Sequence, residues 1–114
     1  MSKKFWQKLD ALIASSKIVI DRPKGTPHPH YPSFVYPFDY GFLQNTQAGD
    51  GNEIGVWIGS MKQKGVTDIL CTVDSLKGDA EIKILIGCTR DDEKIILDAM
   101  NNQYMSAILV KRPS

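Results

Sequence analysis

The chain is expected to be mainly β within an α+β class. A single domain over residues 1–114 would form a small β-barrel of about five or six short strands under two covering helices. Three observations carry this. Short apolar, β-branched runs are separated by turns marked with glycine or proline. Helical spacing of apolar residues occurs in only two segments, one near each end. The strand-like runs do not alternate regularly with helices, which argues against a parallel doubly wound sheet. A length of 114 residues suits one hydrophobic core.

Taken in order, Phe5, Trp6, Leu9, Leu12 and Ile13 recur on one helical face, and Ser15-Ser16 ends the pattern. The opposite face is not strongly basic, so this helix is expected to pack on the domain and not on a membrane. Lys17–Arg22 (KIVIDR) is a β-branched strand that stops at Pro23, with Asp21 near its end. Pro23–Ser33 (PKGTPHPHYPS) has four prolines that remove donors and fix φ, so a stiff connection is expected. His28 and His30 lie in it; two histidines alone make a poor metal site, and structural roles are expected.

Phe34–Phe38 and Tyr40–Leu43 are aromatic, strand-like stretches. Gln44–Asn52 is a polar loop, Ile54–Gly59 a strand, Met61–Gly65 a turn and Val66–Val73 another strand. Asp74–Asp79 is a hairpin-like turn before Ala80–Cys88, where Ile82, Ile84 and Ile86 alternate with Glu81, Lys83 and Leu85. Thr89 followed by Asp92 predicts a capping box opening a helix to about Met100, and Asn101-Asn102 ends it. Met105–Lys111 is a last strand. This order suits an OB-like barrel.

Hydrophobic content of 42% and a net charge of +1 exclude a disordered chain and give no general pull toward nucleic acid or anionic membrane. The aromatic residues fit core positions better than a single-strand binding face. No apolar run is long enough to span a membrane, and Gln7, Lys8 and Asp10 interrupt any signal-like segment, so a cytoplasmic protein is expected. Cys71 and Cys88 sit in apolar runs and are expected as buried free thiols; they lack the count and spacing of a zinc site.

No Walker loop, dinucleotide motif or nucleophile elbow is present. What remains is a set of acids near strand ends and turns: Asp21, Asp39, Asp50, Glu53, Asp74, Asp79 and Glu81. A hard cation such as Mg²⁺ takes oxygen ligands, and acids from several strands could supply them. Lys24, Lys77 and Lys83 could neutralise phosphate, with Tyr36 or Tyr40 as a donor.

Two segments add to this. IVIDRPKGT, followed by YPFDYGFLQNTQAGDGNEIGVWIG, resembles the soluble inorganic pyrophosphatases. That family has a strand ending in an acid, a Pro-Lys-Gly-Ser-like turn, Tyr-Pro-x-x-Tyr-Gly-Phe, and then Asp-Gly-Asp-Pro-Leu-Asp-Val. A fainter similarity covers Gly78–Ile84. The resemblance implies a five-stranded barrel that binds several Mg²⁺ ions and hydrolyses pyrophosphate. Residue by residue, it implies catalytic roles for Asp50 and Tyr40. It implies phosphate contacts from Lys24, Lys83 and Tyr40, and metal ligation by Asp50, Asp21 and Glu81, with Glu53 and Asp74 as further acids.

Asn52 and Gly55 stand where the family motif has its second and third aspartates. An amide cannot accept the proton of an attacking water, and glycine supplies no ligand. The sequence therefore leaves two functions open. One is Mg²⁺-dependent hydrolysis of pyrophosphate or a related small phosphoanhydride. The other is a catalytically inactive protein that keeps the fold for binding or assembly. The expected partner is a small phosphate-containing substrate or ligand, not nucleic acid or membrane. Homo-oligomer formation, through an exposed Trp6 or Trp57, is left open.

Overall fold

A computed structural model describes residues 3–114. Helix α1 (Lys3–Ser15) leads into strands β1 (Ile18–Arg22), β2 (Asp39–Leu43), β3 (Gly55–Ile58), β4 (Val66–Asp74) and β5 (Asp79–Ile86). Helix α2 (Arg90–Ala99) and strand β6 (Met105–Lys111) complete the order. The strands form one six-stranded mixed sheet in the order β1-β2-β3-β5-β4-β6. Only β3 and β5 run parallel; every other neighbouring pair is antiparallel. The ladder does not close from β6 back to β1 among the described residues, so the expected barrel is an open sheet with the expected strands and helices.

Both faces of the sheet are covered, because the central strands are apolar on both sides. On one face α1 lays Trp6, Leu9, Leu12 and Ile13 over Leu43, Val56, Ile69, Ile84 and Ile86. On the other, Ile96, Leu97 and Met100 of the α2 segment pack with Trp57, Leu70, Leu85, Tyr36 and Phe38. Period-two alternation divides β5 between these two cores: Ile84 and Ile86 face α1, while Leu85 faces α2. The C-terminal segment is tied to α1 by Arg112, whose guanidinium lies over the Trp6 ring and bonds both carboxylate oxygens of Asp10 at 2.8 and 2.7 Å.

The structure departs from expectation in two places. Phe34–Phe38 is not a strand: it makes a single bridge, Val35 with Pro27. Pro37 has no N–H to continue a ladder, and the segment instead folds back on the proline-rich connection. There Gly25 N–H donates to Tyr36 O at 2.8 Å and His28 N–H to Phe34 O at 2.8 Å. Trp6 and Trp57 are only 6% and 0% exposed, so neither offers the surface aromatic that the sequence left open for self-association. Both indoles are core, because helical and strand periodicity turn them inward.

The glycine of the Tyr-Gly-Phe segment is required by packing. A Cβ on Gly41 would lie 1.9 Å from the carbonyl oxygen of Val19 on the paired strand. Helix α2 opens with the predicted capping box: Thr89 Oγ1 accepts from Asp92 N–H, and Asp92 Oδ2 accepts from Thr89 N–H, both at 3.0 Å. Asp92 Oδ2 also accepts from Ser60 N–H and Oγ–H at 2.8 and 2.7 Å, which pins the helix start to the turn after β3. Thr89→Ala is expected to cost about 1 kcal/mol in urea unfolding; an unchanged midpoint would remove the cap from the list of stabilising contacts.

Candidate functional site

The site is built at the beginning of β5. Asp79 and Glu81 are two residues apart on the strand, so their side chains leave the same face. Asp50 reaches them from the loop between β2 and β3. Its own side chain shapes that loop: Oδ1 accepts from Asn52 N–H at 3.0 Å, and Gly51 N–H donates to Ala48 O at 3.0 Å. Each of Asp50, Asp79 and Glu81 offers a carboxylate oxygen, and the three oxygens lie within 4.8 Å of one another.

Lys83 follows on the same face of β5 and is buried. Its Nζ donates to Glu81 Oε1 at 2.6 Å and to Tyr40 Oη at 2.7 Å, and it sits 5.1 Å from the centre of the Tyr40 ring. Burial disfavours the ammonium, but the Tyr40 and Glu81 oxygens outweigh it and hold the Lys83 pKa above the usual lysine range. Burial also pushes Asp50 up, yet hydrogen bonds from the Asn52 backbone, with the Glu81 carboxyl and from the Asn52 amide, together with the Lys77 charge, bring it below the usual range. Lys77 Nζ stands 3.8 Å from Asp79 Oδ2 at the exposed edge.

Gly55 explains how Lys83 and Tyr40 meet. A Cβ at position 55 would lie 2.1 Å from Tyr40 Oη and 3.4 Å from Lys83 Nζ. The volume that a side chain on residue 55 would fill is occupied by the hydroxyl–ammonium pair.

Beside the Lys83–Tyr40 pair is a cleft of about 520 Å³, within the size range of small-molecule sites. Its walls include His28, Tyr36, Tyr40 and Trp57, with Lys77 and Lys83 among its polar groups. His28 and Tyr36 are stacked at 6.2 Å, Tyr36 and Tyr40 at 5.7 Å, and Tyr40 meets Trp57 edge-on at 4.7 Å. His28 is structural as well as a wall: its Nδ1 accepts from His30 N–H and Tyr31 N–H at 3.0 and 3.2 Å.

The structure gathers Asp50, Glu81, Lys83 and Tyr40 of the expected site residues. It leaves the others elsewhere. Asp21 is exposed, with Arg22 3.7 Å away. Glu53 is exposed and stands outside the carboxylate group. Asp74 lines the cleft, but its Oδ1 is engaged in the turn, accepting from Leu76 and Lys77 N–H at 3.0 Å. Lys24 lies with its ammonium 5.2 Å from the Phe38 ring centre, and its N–H donates to Asp39 at 2.8 Å. Asp79, which was not among the expected metal ligands, stands with Asp50 and Glu81 in the trio. The signal was its i, i+2 relation to Glu81, which required the strand to begin one residue earlier.

Fold and site together define a small α+β protein with a carboxylate trio, a lysine beside it and an aromatic cleft. No protein-family model matches the chain, and no curated protein matches its sequence. Solved structures do match. An inorganic pyrophosphatase from Neisseria gonorrhoeae is 18% identical at a TM-score of 0.67, with 82% of this chain and 80% of that one covered. An inorganic pyrophosphatase from Coxiella burnetii is 17% identical at a TM-score of 0.59, with 82% and 84% covered. The chain has the inorganic pyrophosphatase fold. Among the described residues, no helix is long and apolar enough to cross a membrane.

Proposed function

We propose that this protein binds a small phosphoanhydride, in the simplest case pyrophosphate, and hydrolyses it with Mg²⁺. The observation that carries the proposal is the convergence of Asp50, Asp79 and Glu81 beside Lys83 and Tyr40 on a pyrophosphatase fold. Three carboxylate oxygens within 4.8 Å are a donor set of the right chemistry for a hard cation that retains waters. Asp50, Asp79 and Glu81 would hold it; when bound, such an ion neutralises phosphate charge and acidifies water.

The chain's own groups have definable tasks. Asp50, held below the usual carboxylate range, is ionised at neutral pH. Lys83 uses two of its three donors on Glu81 and Tyr40, leaving one for a phosphate oxygen. Tyr40 Oη accepts from Lys83, so its own proton is available to a second phosphate oxygen. The Tyr-Pro segment and the loop carrying Asp50 arrange these groups before a ligand arrives, which is the condition for electrostatic stabilisation of a developing charge.

A specific observation favours binding without turnover as the second reading. Asn52 directs its amide toward Asp50, at 3.4 Å from Oδ2, in the position where the family motif has an acid. The volume at residue 55 is also filled by Tyr40 and Lys83. Phosphate release from pyrophosphate in Mg²⁺ or Mn²⁺ separates the two. Asp50→Ala is expected to lower release by on the order of 10²–10³. Pyrophosphate binding by calorimetry without release in the wild type would establish the second reading, and absence of both would sink each of them.

A further inference from the structure

We propose that the cleft takes a nucleoside phosphoanhydride, a planar base joined to a di- or triphosphate, in preference to bare pyrophosphate. The inference rests on the phosphate site described above and extends it along the cleft. Pyrophosphate is compact and fully polar, and gains nothing from aromatic walls. This cleft has an excess of such walls: at about 520 Å³ it is lined by Tyr40, Tyr36, His28, Tyr31 and Tyr104 as well as Lys83. A ligand anchored by its phosphates at Lys83 would leave that length to be filled by a second, planar part.

Among the stacked rings, His28 supplies a hydrogen-bond donor. His28 is neutral at pH 7: burial lowers its pKa, with the charges of His30, Arg22 and Lys77 adding to the effect. Because its Nδ1 accepts two backbone N–H groups, the neutral ring carries its proton on Nε2. The His28 Nε2–H matches the ring nitrogens and carbonyls of a base, which are acceptors. At the rim, Tyr31 and Tyr104 are 52% and 42% exposed, so their ring faces are open to stacking. Lys77, also at the cleft, adds positive charge on the phosphate side near Asp79.

Titration calorimetry with Mg²⁺ and three probes (pyrophosphate, ADP and adenosine) tests this. ADP is expected to bind at least about tenfold more tightly than pyrophosphate, in line with about 5–100-fold for stacking one base on aromatic side chains. Adenosine is expected to bind more weakly than ADP. Tyr104→Ala and Tyr31→Ala are rim changes that leave the core intact, and each should lower the ADP-to-pyrophosphate affinity ratio at least about fivefold. Pyrophosphate binding as tightly as ADP, adenosine binding as tightly as ADP, or a ratio unmoved in both variants would overturn the inference while leaving the phosphate site standing. Failure of both pyrophosphate and ADP to bind would overturn the two together.

Discussion

Lys83→Met is expected to lose about 3–5 kcal/mol of stability near neutral pH, and Mg²⁺ is expected to restore part of it. The Lys83 and Glu81 side chains are only 9% and 11% exposed, so solvent cannot replace the lost ammonium effectively. Removal leaves Glu81 within 4.8 Å of Asp50 and Asp79 with no buried positive charge beside it. Like charges at that range raise one another's pKa, so the variant should take up protons and recover stability as pH falls. A divalent cation is the other remedy. The melting temperature of the variant should therefore rise more with Mg²⁺ or Mn²⁺ than that of the wild type. No rise in either protein would show that the trio holds no cation, and equal rises would show that Lys83 does not compete with one.

Wild-type stability is expected to fall as pH rises from the ordinary carboxylate range to about 8, and Glu93→Gln should flatten that slope. Glu93, in the first turn of α2, is 4% exposed, and its Oε2 has no partner among the described residues. Burial raises its pKa to about 8, and the neighbouring Asp68 carboxyl on β4 adds to the shift. Lys111 and Thr67 oppose it, and the Cys88 thiol beside it is in turn pushed up to about 12 by burial and by Glu93 and Asp92. Asp68 itself is anchored by Arg112 N–H at 2.5 Å, so it cannot swing away. In this window the folded state binds a proton that the unfolded chain has released, so raising the pH favours unfolding. The contribution is complete below the unfolded-state pKa and is lost through the folded-state pKa, at up to about 1.4 kcal/mol per pH unit. Urea midpoints for both proteins between pH 5 and 8 test it; parallel curves would show that Glu93 is not the titrating group.

Much of the fold was legible because it rests on periodicity. The helical spacing of Phe5 to Ile13, the alternation of Ile82, Ile84 and Ile86, and the Thr89–Asp92 capping box all lie where the residues put them. Phe34–Phe38 misled, because its aromatic composition suits a strand while Pro37 and the packing of Tyr36 against Trp57 hold it in a loop. Trp6 and Trp57, which the sequence left open as surface aromatics, are placed inside by their own periodicity.

The candidate site divides along the same line. The Tyr-Pro-x-x-Tyr-Gly-Phe segment and the Asp50 loop are local, and the sequence alone determined their presence and the fold they imply. It also put Asn52 and Gly55 where the resemblance would have two aspartates. Only the tertiary structure decided which distant groups stand together there. Parallel pairing of β3 with β5 aligns Trp57 with Leu85 and brings Lys83 to Tyr40, 43 positions away in sequence. The same pairing places Asp79, not Asp74, with Asp50 and Glu81. Strand register and the space above a single glycine are properties of packing between segments, and the order of residues along one chain does not specify them locally.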